Sequence, residues 1–191
     1  LPDRHRFGAL TLLGTALAKQ GQPVLDIVTY LPIYLAGLVT IPVVLIGRLY
    51  GSTLAGFAAA CLATAGSSFF NRTMAGYLDT DIFSVTIPVF ILYFLLRAHR
   101  ESSVPWMVAG SVSVMCYPFF YSSGVPIVTA MALTFMGLRG FTELKAWWKS
   151  KGLEKDASAS GEPSISFSLL SVSLLAAAVW FCPHSVGSQL A

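Results

Sequence analysis

Apolar residues in this chain come in long runs divided by short polar breaks, and the lengths of those runs set the first expectation. Residues 8–20 are apolar with Lys19 near their end. A bilayer core needs about 20 residues, so this piece reads as a short interfacial or re-entrant helix, broken by Gln22 and Pro23. The first long run covers 27–49, interrupted by Pro32 and Pro42, which kink a membrane helix while neighbouring helices satisfy the freed carbonyls. Arg48 closes it and Gly51-Ser52 makes the turn. A second run, 54–70, leads into a charged stretch, and a third, 82–96 with Pro88 inside, stops at Arg97-Ala98-His99-Arg100-Glu101. Pro105 opens a fourth, 106–120, closed by Tyr117 to Tyr121 and the turn Ser122-Ser123-Gly124. The fifth, 125–138, runs into a basic segment with Arg139, Lys145, Lys149 and Lys151. After a polar stretch, 152–163, a sixth run at 165–181 ends at Pro183-His184. The pattern predicts an all-α, polytopic transmembrane helical bundle of about six spans plus a short interfacial helix.

Composition agrees. The chain is 55% hydrophobic and only 11% charged, whereas a soluble domain is about 25% charged. Small residues recur every fourth position in the second run, as Gly51, Ala55, Ala59, Ala63 and Ser67, with a parallel row at Gly56, Ala60 and Thr64. Such rows let helix backbones approach closely in lipid, and both are read as packing. Cys61, Cys116 and Cys182 lie in apolar runs with neither metal-ligand spacing nor a disulfide framework, and read as small buried hydrophobes. His5, His99 and His184 are scattered and support no histidine-based site.

Charge placement orients the bundle. Arg48, Arg97, Arg100, Arg139, Lys145, Lys149, Lys151 and Lys155 fall at alternate turns, so one side collects eight of the twelve basic residues. That side is cytoplasmic by the positive-inside rule. The stretch Asn71 to Asp81, the Tyr121 turn and the start of the chain share the opposite, outer face. The chain divides into 1–26, the end of a first outer loop with its interfacial helix; 27–151, the membrane bundle carrying the acidic motif 71–81; 152–163, a cytoplasmic linker; and 164–191, a further, truncated span. It reads as part of a longer protein.

The motif NRTMAGYLDTD at 71–81 places Arg72, Asp79 and Asp81 between two apolar runs. An ionisable residue deep in a bilayer costs roughly 2.5–3.5 kcal/mol, so three of them together mark a function. With Asp79 as a helix cap and Asp81 in the first turn, both carboxylates would lie where the helix dipole favours negative charge. A pair of carboxylates is a hard-oxygen ligand set suited to Mg²⁺ or Mn²⁺, the arrangement by which many sugar transferases hold a diphosphate leaving group. A plain N-cap paired with Arg72 is the other reading, and from these residues alone both stand. Asn71-Arg72-Thr73 also fits the N-x-T glycosylation pattern; at the end of a membrane helix it is not read as an acceptor.

The full string, with the apolar run and Pro88 after it, closely resembles the second acidic motif of oligosaccharyltransferase catalytic subunits, the bacterial single-subunit (PglB-type) form above all. The likeness extends to the run into Pro42 and Arg48, the segment Leu54-Ala55-Gly56-Phe57, Arg97, and the aromatic group Tyr117 to Tyr121; beyond about residue 140 the chain is only generically membrane-like. The resemblance implies a glycosyltransferase-C-like membrane fold and transfer of a glycan from a polyprenyl diphosphate to an asparagine amide at the outer face of the cell inner membrane. It assigns Asp79 and Asp81 to a catalytic Mn²⁺ or Mg²⁺, and Arg72 to a basic position beside it. It sets Tyr121, and Phe119 where the nearest family pattern has Trp, against the lipid-linked oligosaccharide donor; an interfacial aromatic belt explains these two equally well. Acceptor protein or peptide and membrane lipid are the other implied partners, with no nucleic acid. The family's first-outer-loop acidic residue, its later Glu and its W-W-D motif have no counterpart here. Asp3 lies too far along to be that first ligand, and the chain is expected to be inactive alone.

Two other readings compete. A secondary transporter could run an ion or proton path through Arg72, Asp79 and Asp81, though such proteins show internal repeats and midplane charges. Another polyprenyl-sugar-dependent membrane glycosyltransferase would share the acidic outer loop and use a different acceptor.

Overall fold

The computed structural model describes residues 9–76, 79–153 and 172–179, and every regular element among them is helical. The order is α1 (Ala9–Lys19), α2 (Val24–Gly37), α3 (Thr40–Leu49), α4 (Thr53–Ala65), α5 (Ser67–Arg72), α6 (Ile82–Glu101), α7 (Val104–Phe120), a 3-10 turn (Ser122–Gly124) and α8 (Val125–Leu153). Residues 172–179 form a further helical segment. Three stretches among the described residues are long and apolar enough to cross a membrane: Val24–Leu49, Ile82–Glu101 and Ser122–Thr142. Ala9–Lys19, Thr53–Ala65 and Val104–Phe120 are shorter apolar helices. The all-α membrane bundle expected from the run lengths is what the chain forms. The interval 154–171, the chain beyond 179 with Cys182 and His184, and the first eight residues with Asp3 and His5 lie outside the described residues, so the linker and most of the sixth run do too.

The helix boundaries depart from the apolar runs for local reasons. The first run is two helices, because Leu38 and Val39 turn tightly between them; Pro32 lies inside α2 and Pro42 near the start of α3. The second breaks at Gly66, whose extended backbone (φ −58°, ψ 124°) ends α4 and starts α5. The third carries on a turn past Leu96: Arg97 pairs with Glu101 one turn on (Nε to Oε1, 2.9 Å), and the helix stops only at Ser102 in the left-handed conformation. An i,i+4 ion pair and buried Ala98 make these charged residues compatible with helix. Likewise α8 continues through the basic segment, and Arg139 is buried rather than looped out.

Two apolar clusters hold the bundle. One joins Ile91 and Leu95 of α6 to Met107, Val114 and Tyr117 of α7, Val128 and Ala132 of α8, and Leu175 and Ala178. The other, nearer the start of α6, joins Leu10, Ile27, Leu31 and Leu35 to Ile82 and Phe83. Ile87 and Tyr121 pack against both. Helices α3 and α4 form a tight hairpin about Gly51, which takes φ 94°. Only one of the two small-residue rows makes this contact. Gly56 and Ala60 are buried, while Ala55, Ala59 and Ala63 stay exposed. Cys61 and Cys116 are exposed thiols, not buried ones; the outer face of a membrane helix is apolar in its own right, so an apolar run does not distinguish core from lipid side.

Candidate active site

The motif residues gather where α5 ends and α6 begins. Arg72 is the last residue of α5, and its Nη1 donates to Oδ2 of Asp81 across the connection between the two helices. Arg72 is 57% exposed and Asp81 16%, so the pair stands at a surface with its acid end sheltered. A pair of this exposure contributes on the order of 0–1 kcal/mol to stability; its consequence is placement. Tyr77 and Leu78 lie outside the described residues.

The carboxylates do not take the positions expected of them. Asp81, not Asp79, precedes the helix, and it is not a side-chain cap. Its carbonyl accepts from Ser84 N–H (3.0 Å) and Ser84 Oγ (2.6 Å), and the carbonyl of Thr80 accepts from Phe83 N–H (3.0 Å). Backbone and Ser84 thus close the first turn, which releases the Asp81 carboxylate to Arg72. Asp79 lies two residues earlier, half-buried, its Oδ1 accepting from Thr80 Oγ1 at 3.3 Å. It opens onto a cavity of about 450 Å³ walled by Thr11, Gly14, Thr15 and Ala18 of α1 and by Ile27 and Val28 of α2.

That wall was missed in the sequence, where α1 was only a short apolar piece. Its signal was present in the small and hydroxyl residues Thr11, Gly14, Thr15 and Ala18, three or four apart on one face. Thr73, the third residue of the N-x-T pattern, is buried, and its Oγ1 donates to the carbonyl of Phe69 at 2.9 Å.

The aromatic turn closes on the same end. Phe120 meets Phe83 edge-on, centroids 5.4 Å apart, and Phe119 meets Phe120 at 5.7 Å. Tyr121 is half-buried between the two apolar clusters, whereas Phe119 is 48% exposed. The structure therefore brings Tyr121 and Phe120 to the start of α6 and leaves Phe119 turned outward; Phe120, which the sequence did not single out, is the ring in contact with α6. Among the described residues no three His, Cys, Asp or Glu side chains converge, so Asp79 and Asp81 can supply only part of a metal's ligand set.

The family model for oligosaccharyl transferase STT3, N-terminal, matches residues 11–151. The chain belongs to this family. The matched segment contains Arg72, Asp79, Asp81, Phe119 and Tyr121. Two relatives, named undecaprenyl-diphosphooligosaccharide–protein glycotransferase and found in two strains of Campylobacter jejuni, are each 34% identical over 111 residues, 58% of this chain and 16% of theirs. A dolichyl-phosphooligosaccharide–protein glycotransferase of Methanococcus voltae is 29% identical over 115 residues, 54% of this chain and 12% of its own. The matched stretch thus covers about a sixth or less of the length of these relatives.

Proposed function

We propose that the chain is part of the membrane region of an enzyme that moves an oligosaccharide from a polyprenyl diphosphate to the side-chain amide of asparagine in an acceptor protein. The observation that carries this is the joint placement of Arg72, Asp81 and Asp79 at one end of a helical bundle, within the segment that matches the family. On this reading the protein is a multi-pass protein of the cell inner membrane, with that end on the outer, periplasmic face. Arg48, Arg97 and Arg100 at the far ends of α3 and α6 support the orientation.

Asp79 and Asp81 fit a divalent Mn²⁺ or Mg²⁺ in chemistry: both are hard carboxylates, and Asp79 opens onto a cavity rather than onto packed side chains. Such an ion takes about six ligands, several of them commonly water or substrate phosphate oxygens, so Asp79 and Asp81 would supply part of the set. When bound, the ion neutralises the charge that develops on the diphosphate as the glycosidic bond breaks. Arg72 fixes the Asp81 carboxylate and, more than half exposed, offers its remaining N–H groups to an anionic oxygen. Tyr121 offers an aromatic surface and a hydroxyl to the lipid-linked donor, and Phe119, turned outward two residues earlier, offers an exposed ring. Among the described residues no third His, Cys, Asp or Glu joins Asp79 and Asp81, and the 191-residue chain is expected to transfer no glycan by itself.

The test uses the complete protein in detergent with lipid-linked oligosaccharide, an asparagine-containing peptide and Mn²⁺. Asp79→Asn keeps the shape and removes the charge; peptide glycosylation is expected to fall on the order of 100-fold, the scale of losing one electrostatic stabiliser of a transition state. Undiminished transfer returns Asp79 to a structural role, and no wild-type transfer with any polyprenyl donor overturns the functional reading.

A further inference from the structure

Helices α3 and α6 end together at the other end of the bundle, about 30 Å along α6 from Asp81 at 1.5 Å per residue. A cleft of about 370 Å³ opens between them, and three guanidiniums, Arg48, Arg97 and Arg100, face it with one carboxylate, Glu101. Glu101 is already engaged, accepting from Arg97 Nε at 2.9 Å. Arg97 is further held by the Tyr93 hydroxyl at 2.5 Å and by the Trp106 ring, 4.1 Å from the guanidinium carbon. Arg97 is therefore a fixed donor, its geometry set before any ligand arrives. Among the described residues neither Arg48 nor Arg100 has a carboxylate within ion-pairing distance. The two helix C-termini contribute about half a negative charge each, which leaves the cleft with a net positive charge of about one.

Depth decides what kind of anion fits. The membrane-crossing stretches Val24–Leu49 and Ile82–Glu101 both terminate at this cleft, so its arginines lie at headgroup level. Leu45 and Leu49 flank Arg48 on the α3 side of the cleft and offer an apolar edge to glycerol and the first acyl carbons. Basic pockets between membrane helices are general sites for anionic headgroups. We propose that this cleft binds an anionic phospholipid, its phosphate held between Arg48 and Arg100 with Arg97 as the fixed third donor, and its acyl chains leaving along Leu45 and Leu49. The proposal is independent of the glycosyl-transfer reading, which concerns the opposite end of the molecule.

The complete protein is reconstituted in bilayer discs of phosphatidylcholine with phosphatidylglycerol, and retained lipid is counted by native mass spectrometry across a phosphatidylglycerol titration. Arg48→Gln and Arg100→Gln are each expected to weaken phosphatidylglycerol retention roughly fivefold, about 1 kcal/mol per charge, while Lys145→Gln on exposed α8 leaves it within about twofold of wild type. Equal weakening by all three changes would mean general surface attraction and overturn the site. Equal retention of phosphatidylcholine and phosphatidylglycerol by the wild type would overturn it as well. Displacement by excess inorganic phosphate would identify a soluble anion as the occupant and overturn the lipid assignment. If a Gln variant misfolds, Arg48→Lys and Arg100→Lys keep the charge and lose the planar fork; they are expected to retain phosphatidylglycerol above the phosphatidylcholine level, and failure of both to do so overturns the proposal.

Discussion

Among the described residues Tyr117 is the largest fully buried side chain, and the space for its hydroxyl end exists because residue 124 has no side chain. A β-carbon at Gly124 would run into the Tyr117 hydroxyl and come within 2.7 Å of the Tyr121 ring. Both are rigid aromatics, so the strain cannot be relieved by a flexible tip. Gly124→Ala is expected to cost about 1–3 kcal/mol, the usual scale of overpacking, read as a lower thermal midpoint of the complete protein in detergent. The same change in a Tyr117→Phe background should cost measurably less, and the difference between the two is the coupling. Residue by residue, the sequence was legible as chemistry and less so as geometry. It singled out Arg72, Asp79 and Asp81 from their types and spacing. Which carboxylate precedes the helix was not legible, because that depends on the Ser84 hydroxyl and the Thr80 carbonyl closing the first turn and on Arg72 drawing Asp81 aside.

Helices α3 and α4 show what a small residue does for an element. A β-carbon on Gly56 would lie 2.9 Å from the Val44 carbonyl oxygen and 3.0 Å from the Gly47 Cα, both backbone atoms that cannot step aside. Gly56→Ala is therefore expected to push α3 and α4 apart, at about 1–3 kcal/mol. Ala59→Leu, on the exposed face of the same helix, should change stability by less than about 0.5 kcal/mol. A thermal-shift series over both positions checks the pair, and an equal loss at each would mean that both rows are packed. A four-residue spacing announces that a helix has a smooth face, but two such faces existed here and only the partner helix selects one. Element ends were the least legible feature for a related reason: the i,i+4 pair of Arg97 with Glu101 prolongs α6 beyond its apolar run, and the extended backbone at Gly66 cuts α4 from α5 inside one.

At the scale of the molecule, the run lengths and charge bias gave the class of fold directly, since a bilayer leaves helices as almost the only way to satisfy the backbone. The orientation they imply can be read by labelling. With Cys61, Cys116 and Cys182 replaced by Ala, a cysteine at Met74 (45% exposed) should react with an impermeant thiol reagent added to intact cells, and one at Tyr50 (70% exposed) only after the membrane is permeabilised. The opposite pattern would invert the bundle and move the acidic motif to the cytoplasm. The cavity beside Asp79 was beyond the reach of the pattern, because it arises where α1 folds back against α2, a contact no single run encodes. The connections between helices also divide the two ends. At the arginine-rich end, α3 passes to α4 through residues 50–52 and α6 to α7 through 102–103, whereas the connection from α5 to α6 spans 73–81. The molecule is thus built like a comb, clamped along one edge and open along part of the other. Closure entropy rises only with the logarithm of loop length, so doubling the long connection adds about 0.6 kcal/mol. Insertions and new contours can accumulate beside Arg72 and Asp81 while the clamped edge keeps the helices in register.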